Sequence, residues 1–206
     1  MTDLTETGRK AELRNRLRGR RAPLSAENLR EKALGFIETG REMLDSLDLA
    51  AERRAITGYL PVAAEPPVLA MLEMFSSAGH PIFMPVCEPQ RQLSWVLWHP
   101  GIELRTSDFG PIQEPVGERH GPEALTSVGL MVLPALAVDG EGNRLGQGGG
   151  YYDRALSRVH EAGQTPVLAA AVYSEDLLPP GGVPHDTLDQ RVQFALTTAF
   201  FRPLEC

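Results

Sequence analysis

Lysine is nearly missing from this 206-residue sequence: of 20 basic residues, only Lys10 and Lys32 are lysines and the rest are arginines. The scarcity excludes the phosphate loop G-x-x-x-x-G-K-[ST], because the glycine-rich stretch of the chain holds no lysine. Cysteine is as scarce. Cys87 and Cys206 stand far apart, one of them at the last position, and make neither a disulfide framework nor a thiolate metal cluster. A positive surplus is absent too. The formal charge of −7 argues against a general nucleic-acid binder, which carries a basic face, but leaves room for a locally basic pocket. No apolar run approaches the length of a membrane span, and residues 1–21 are polar and basic, unlike a secretory signal. A soluble cytoplasmic protein without nucleic-acid or membrane partners is the expectation. Internal repeats and low-complexity tracts are also missing.

What is present suffices for one core, since 42% of the residues are apolar. Leu13 and Leu17 give Arg9 to Arg21 a narrow helical stripe, and Ser25 is a fitting N-cap for a second helix through Leu29, Ala33, Phe36 and Ile37. Gly40 is expected to interrupt that helix before it resumes toward Leu49. Strands are expected at Ile56 to Leu60, Ile82 to Val86, Leu93 to Trp98, Val128 to Leu133, Val167 to Tyr173 and Phe194 to Thr198. Between the first two, Val68 to Ala78 reads as a helix closed by Gly79. This alternation predicts an α/β fold: a single three-layer α/β/α domain over 1–206 with a mostly parallel sheet. Pro100 to Pro122, rich in proline and glycine, reads as a long ordered loop that carries function.

The chemistry concentrates between Leu133 and Asp153. A buried strand leads into a loop with Gly146, Gly148, Gly149 and Gly150, and a helix is expected from about Tyr152. Glycines let the backbone approach a ligand and turn several N–H groups toward one point. A helix N-terminus behind them adds partial positive charge, which together suits a polyphosphate. The dinucleotide fingerprint G-x-G-x-x-G fails, because Tyr151 stands three after Gly148. Phosphate charge must then be met by backbone amides, by Arg144 and by cations from elsewhere. Asp153 beside a polyphosphate is repulsive unless a cation such as Mg²⁺ lies between them, although an acidic residue also simply favours a first helical turn. Lys10 and Arg14 share one face of the first helix, with Arg21 roughly in line; the row is either a solvated face or a supply of positive charge for the loop.

Arg144 to Asp153 resembles R-L-G-x-G-[GK]-G-Y-Y-D, the signature of the 5-formyltetrahydrofolate cyclo-ligase family. Lys10 to Arg14 (K-x-x-L-R), Gly58 to Glu65, Met84 to Val86, Ile112 to Pro115 and Val183 to Asp189 follow in that family's order, so the resemblance spans about Lys10 to Thr198. It implies that ATP is bound by Lys10, Arg14 and the loop Arg144, Leu145, Gly146, Gln147, Gly148, Gly149, Gly150, Tyr151 and Tyr152. Asp153 and Asp189 would hold Mg²⁺, with Asp186 competing for the second place. Leu60 and Glu65 would line the folate site, which Gln147 to Tyr151 also face. Arg144, Tyr151 and Asp153 are the expected catalytic residues. The implied activity closes 5-formyltetrahydrofolate to the 5,10-methenyl form, in a monomer or weak homodimer. No protein nucleophile is needed, and the sequence offers no Ser/His/Asp or Cys/His set. Asp153→Ala is expected to abolish turnover and leave the fold intact.

Three departures stand out. Gln147 replaces a more usual aromatic or basic residue, Gln193 a frequent aspartate, and the tail after Val192 diverges. The first two support an alternative, a drifted nucleotide-binding paralogue without turnover. A sugar-phosphate isomerase or CoA-transferase relative would explain the scaffold but not a glycine cradle ending in an aspartate. His80, His99, His120 and His160 lack ligand spacing; His185 could meet phosphate, and Glu114 could shape the substrate loop or serve a turn. Trp95 and Trp98 fall on opposite faces of their strand.

Overall fold

Each of the first two helices begins where a hydroxyl takes up a free amide. Thr5 accepts from the Gly8 N–H at the start of α1 (Glu6–Arg20), and Ser25 accepts from Asn28 at the start of α2 (Ala26–Ser46). The structure, a computed structural model, describes residues 5–21, 25–49, 53–62 and 64–205; Ala63 of the glutamate motif and Cys206 lie outside them. Helix α2 runs unbroken through Gly40, against expectation. The glycine marks a crossing with α3 (Leu69–Ser77): a Cβ there would stand 2.6 Å from Met71 Cγ. Packing on both sides of that contact holds the helix that the glycine alone would weaken.

The strands are β1 (Ala55–Thr57), β2 (Ile82–Glu88), β3 (Gln92–Trp98), β4 (Leu104–Thr106), β5 (Gln113–Pro115), β6 (Val128–Pro134), β7 (Ala137–Asp139), β8 (Arg144–Leu145), β9 (Val167–Ala171), β10 (Leu177–Leu178), β11 (Phe194–Leu196) and β12 (Phe201–Pro203). Seven form the central sheet in the order β12-β11-β9-β6-β1-β2-β3. Its inner pairs are parallel, and the edge strands β3 and β12 are antiparallel. In β6, Leu130 and Val132 face α2 and α3, whereas Met131 and Leu133 face α4 (Tyr151–Glu161). Helices therefore cover both faces of an α/β sheet, and the buried strands read as continuous apolar runs for that reason. Trp95 and Trp98 do take opposite faces, each buried in its own core layer.

Several expected strands come out shorter: β1 ends at Thr57, β9 at Ala171 and β11 at Leu196. β2 is longer and accommodates Pro85. Its partner Trp95 spends its N–H and C=O on His120, so the pair lies between ladder bonds and no donor is missed. The expected loop at 100–122 contains the two-stranded ribbon β4–β5. A small sheet, β10-β7-β8, went unforeseen because its strands are two or three residues long. Leu13 and Leu17 of α1 pack with Leu136, Ala137, Leu145 and Val183 around it. Among the described residues no helix is long and apolar enough to cross a membrane.

A candidate active site between the glycine loop and Glu65

The carboxyl ends of parallel strands are where α/β sheets leave room for ligands. Here Tyr59 and Leu60 follow β1 and Pro134 closes β6, and they line an open cavity of about 440 Å³. One wall is the loop between β8 and α4. Gly148 and Gly150 have φ of 101° and 69°, a backbone that side chains disfavour, and Gly150 is the N-cap of α4 with no side chain to satisfy its amides. The helix begins at Tyr151, one residue earlier than expected. Every site residue inferred from the sequence lines this cavity: Lys10 and Arg14 from α1, Leu60 and Glu65 after β1, Arg144 through Asp153, and Asp189.

Cations and carboxylates interleave on that wall. Arg144 Nη2 holds Asp153 Oδ1 at 2.8 Å, while its Nη1 donates to Pro134 O and its buried Nε has no acceptor among the described residues. Lys10 Nζ donates to Asp186 Oδ2 at 2.7 Å and to Asp189 Oδ2. Burial works against the Lys10 ammonium, but its hydrogen bonds to both aspartates, with their negative charge, outweigh it and lift its pKa above the ordinary lysine value. The same bond, with the Leu188 amide, holds Asp186 below the usual carboxylate range. Arg14 Nε donates to Gly146 O at 3.0 Å; burial, then Arg18, lowers its pKa, while Asp189 and Asp153 oppose the shift.

Arg21 does not continue this row. It sits at the C-cap of α1, where the backbone turns extended, and donates to the buried Asp176 and to the carbonyls of Ala135 and Leu136. Arg18 takes its place, donating to Gln147. Of the competing aspartates, Asp189 lines the cavity and Asp186 does not. His185 contacts the Val183 carbonyl, and Gln193 accepts from the Leu168 amide. Glu114 is buried in β5 and accepts from the Cys87 amide, so it anchors the ribbon rather than meeting solvent.

The opposite wall is more apolar. Phe109 to Gln113 reach it from the ribbon, with Pro85, Cys87 and Leu93 from the sheet. Pro85, Ile112 and Gln113 fall in segments that the resemblance marks and Phe109 in the proline- and glycine-rich loop, whereas Cys87 and Leu93 carry no such signal in the sequence. Glu65 closes the floor, accepting from Gln147 Nε2 at 3.0 Å and from the Val62 amide. Its burial raises its pKa above the ordinary glutamate value, and those two hydrogen bonds oppose the rise. Burial also raises the Tyr59 and Tyr152 hydroxyls and lifts the Cys87 thiol to about 11, which favours its protonated form at neutral pH.

The donor set suits a polyphosphate with a divalent cation. Glycine amides, Lys10, Arg14 and Arg144 supply positive charge, and two carboxylates stand among them. Among the described residues no three His, Cys, Asp or Glu side chains gather as a cage. Mg²⁺ ordinarily takes one or two carboxylates and completes its shell with phosphate oxygens and water.

Residues 6–198 match the profile of the 5-formyltetrahydrofolate cyclo-ligase family. The 5-formyltetrahydrofolate cyclo-ligase of Mycolicibacterium smegmatis is 33% identical over 149 residues, which cover 70% of this chain and 73% of that protein. The enzyme of the same name from Escherichia coli K12 is 31% identical over 99 residues, 47% of this chain and 54% of its own. The solved structure of Aquifex aeolicus 5,10-methenyltetrahydrofolate synthetase superposes with a TM-score of 0.72 at 28% identity, over 96% of this chain and 93% of that one. A 5,10-methenyltetrahydrofolate synthetase from Mycoplasma pneumoniae shares the fold at 17% identity, with a TM-score of 0.66 over 92% and 98%.

Proposed function

We propose a reaction for the cavity from one premise: the chain belongs to the 5-formyltetrahydrofolate cyclo-ligase family, a family of ligases. The reaction is the ATP-dependent closure of 5-formyltetrahydrofolate to 5,10-methenyltetrahydrofolate. A formamide oxygen is a poor leaving group, so direct closure by N10 stalls. The formyl oxygen therefore takes the γ-phosphoryl group; the bond from γ-phosphorus to the bridging oxygen breaks, and ADP departs with its electron pair. N10 then attacks the activated formyl carbon, and phosphate leaves with the N10 proton to give the methenyl bridge.

Lys10, Arg14 and the amides from Gly146 to Tyr152 hold the phosphates, and Arg144 faces the group in transfer. Phosphoryl transfer depends on alignment and charge neutralisation, so fixed cations and amides accomplish most of it. Mg²⁺ held by Asp153 and Asp189 would neutralise charge on the phosphate oxygens. Leu60 and Glu65 hold the pterin, whose ring N–H edge suits a carboxylate acceptor. Tyr151, at the start of α4, borders both ligands. One observation supports this reading: Gln147 touches Glu65 while Arg14 grips the neighbouring Gly146, so the residues proposed for phosphate and those proposed for folate line one cavity.

Purified protein mixed with 5-formyltetrahydrofolate, ATP and Mg²⁺ is expected to develop the near-ultraviolet absorbance of the methenyl product, and to need all three. Nucleotide binding without that absorbance would instead establish the drifted paralogue that Gln147 and Gln193 raise.

A further inference from the structure

Arg18 has no part in the reaction above, yet it continues the row of Lys10 and Arg14 one turn further along α1. Its guanidinium donates three times to Gln147: Nε and Nη2 to the side-chain Oε1 at 3.2 and 2.9 Å, and Nη2 to the backbone oxygen at 2.9 Å. Across the same amide, Nε2 donates to Glu65 Oε1 at 3.0 Å. An exposed guanidinium is thus linked to a buried carboxylate through one side chain.

Chemistry dictates the polarity of this link. A guanidinium only donates, and an ionised carboxylate only accepts. An amide between them satisfies both in a single orientation, oxygen toward Arg18 and nitrogen toward Glu65. The flipped amide would set oxygen against carboxylate and NH₂ against guanidinium. Resting on the reaction proposed above, we propose that Arg18 is a positioning residue that locks the Gln147 amide so that Glu65 stays ionised and aimed at the substrate's N–H edge.

The other groups around Glu65 do not supply this. The Val62 amide meets its second oxygen at 3.2 Å. Arg21, at the end of α1, acts only through space and is committed to Asp176. Tyr59 after β1, Tyr152 on α4 and Tyr173 after β9 face Glu65 as neutral hydroxyls, their own pKa values raised by burial. Burial pushes the Glu65 pKa up and the Gln147 bond, first among the opposing causes, pulls it back. With that bond misaligned, the carboxylate takes its proton at higher pH.

The test compares Arg18→Met, Gln147→Met and the double variant. Two measurements are made on each: a ¹³C-detected titration of the Glu65 carboxyl, and the pH profile of kcat/KM for the folate. Each single variant is expected to raise the titration and the acid limb by roughly one pH unit. At neutral pH kcat/KM falls roughly threefold to tenfold, through KM more than kcat. Arg18→Met should change nothing further once Gln147 is methionine. An unmoved titration in either single variant, or an equal Arg18→Met shift in both backgrounds, overturns the proposal. The titration needs no turnover, so a protein that fails to cyclise would sink the reaction while this inference is still decided.

Discussion

Asp153 shows why a side chain cannot be deleted on sequence reasoning alone. Its carboxylate balances Arg144, whose side chain is 3% exposed, so Asp153→Ala leaves a buried cation without its anion. The variant is therefore expected to lose about 1–3 kcal/mol of stability as well as turnover. Asp153→Asn separates the two effects, because its amide oxygen still accepts from Arg144 while the charge is gone. Urea unfolding should place Asp153→Asn within about 1 kcal/mol of the parent chain. Its turnover should fall by roughly a hundredfold or more if the carboxylate holds Mg²⁺. Near-normal turnover in that variant would remove the metal role. Gln147 teaches a related lesson. In the sequence it stands as a departure from a more usual aromatic or basic residue; in the fold its two ends engage Arg18 and Glu65.

Helix α1 carries cations to a loop more than a hundred residues later, and it does so by docking on the small sheet. Leu17, 1% exposed, sits at the centre of that contact with Leu13, Leu136 and Leu145. Leu17→Ala should cost about 2–4 kcal/mol locally, since a cavity replaces the packed side chain. The expected result is faster hydrogen exchange in α1 with β6 and β9 still protected, together with several-fold weaker nucleotide binding by calorimetry. Unchanged affinity despite an exposed α1 would show that Lys10 and Arg14 do not reach the phosphates. The element was easy to read as a helix, from two leucines one turn apart. What it packs on was not, because β7, β8 and β10 are too short to show any alternation.

At the scale of the whole molecule, the cavity gathers the first helix, the end of β1, the β4–β5 ribbon, the glycine loop and the stretch before β11. A ligand that bridges them should stabilise all of it. ATP with Mg²⁺ at about a hundred times its dissociation constant should add about 2.7 kcal/mol. For a chain of this size that means a rise in Tm of roughly 5–10 °C. Chelating the metal should remove most of the rise, because the phosphates then face Asp153 and Asp189 without the cation between them. A rise that persists undiminished in chelator would argue that Lys10, Arg14 and Arg144 hold the nucleotide unaided.

By itself the amino-acid order determined what depends on short spacings: the Ser25 cap, the alternation of apolar strands with helices, and the loop from Arg144 to Asp153. Backbone geometry acts within a few residues, so those features are legible in the chain. Tertiary structure alone decided which charges meet. Lys10 finds Asp186 and Asp189 across 176 and 179 residues, Gln147 finds Glu65 across 82, and Arg18 rather than Arg21 extends the cationic row. Those pairings follow from how α1 seats on the small sheet and from where its last turn unwinds. Helical periodicity sets which residues share a face, but only packing against a partner sets where that face points.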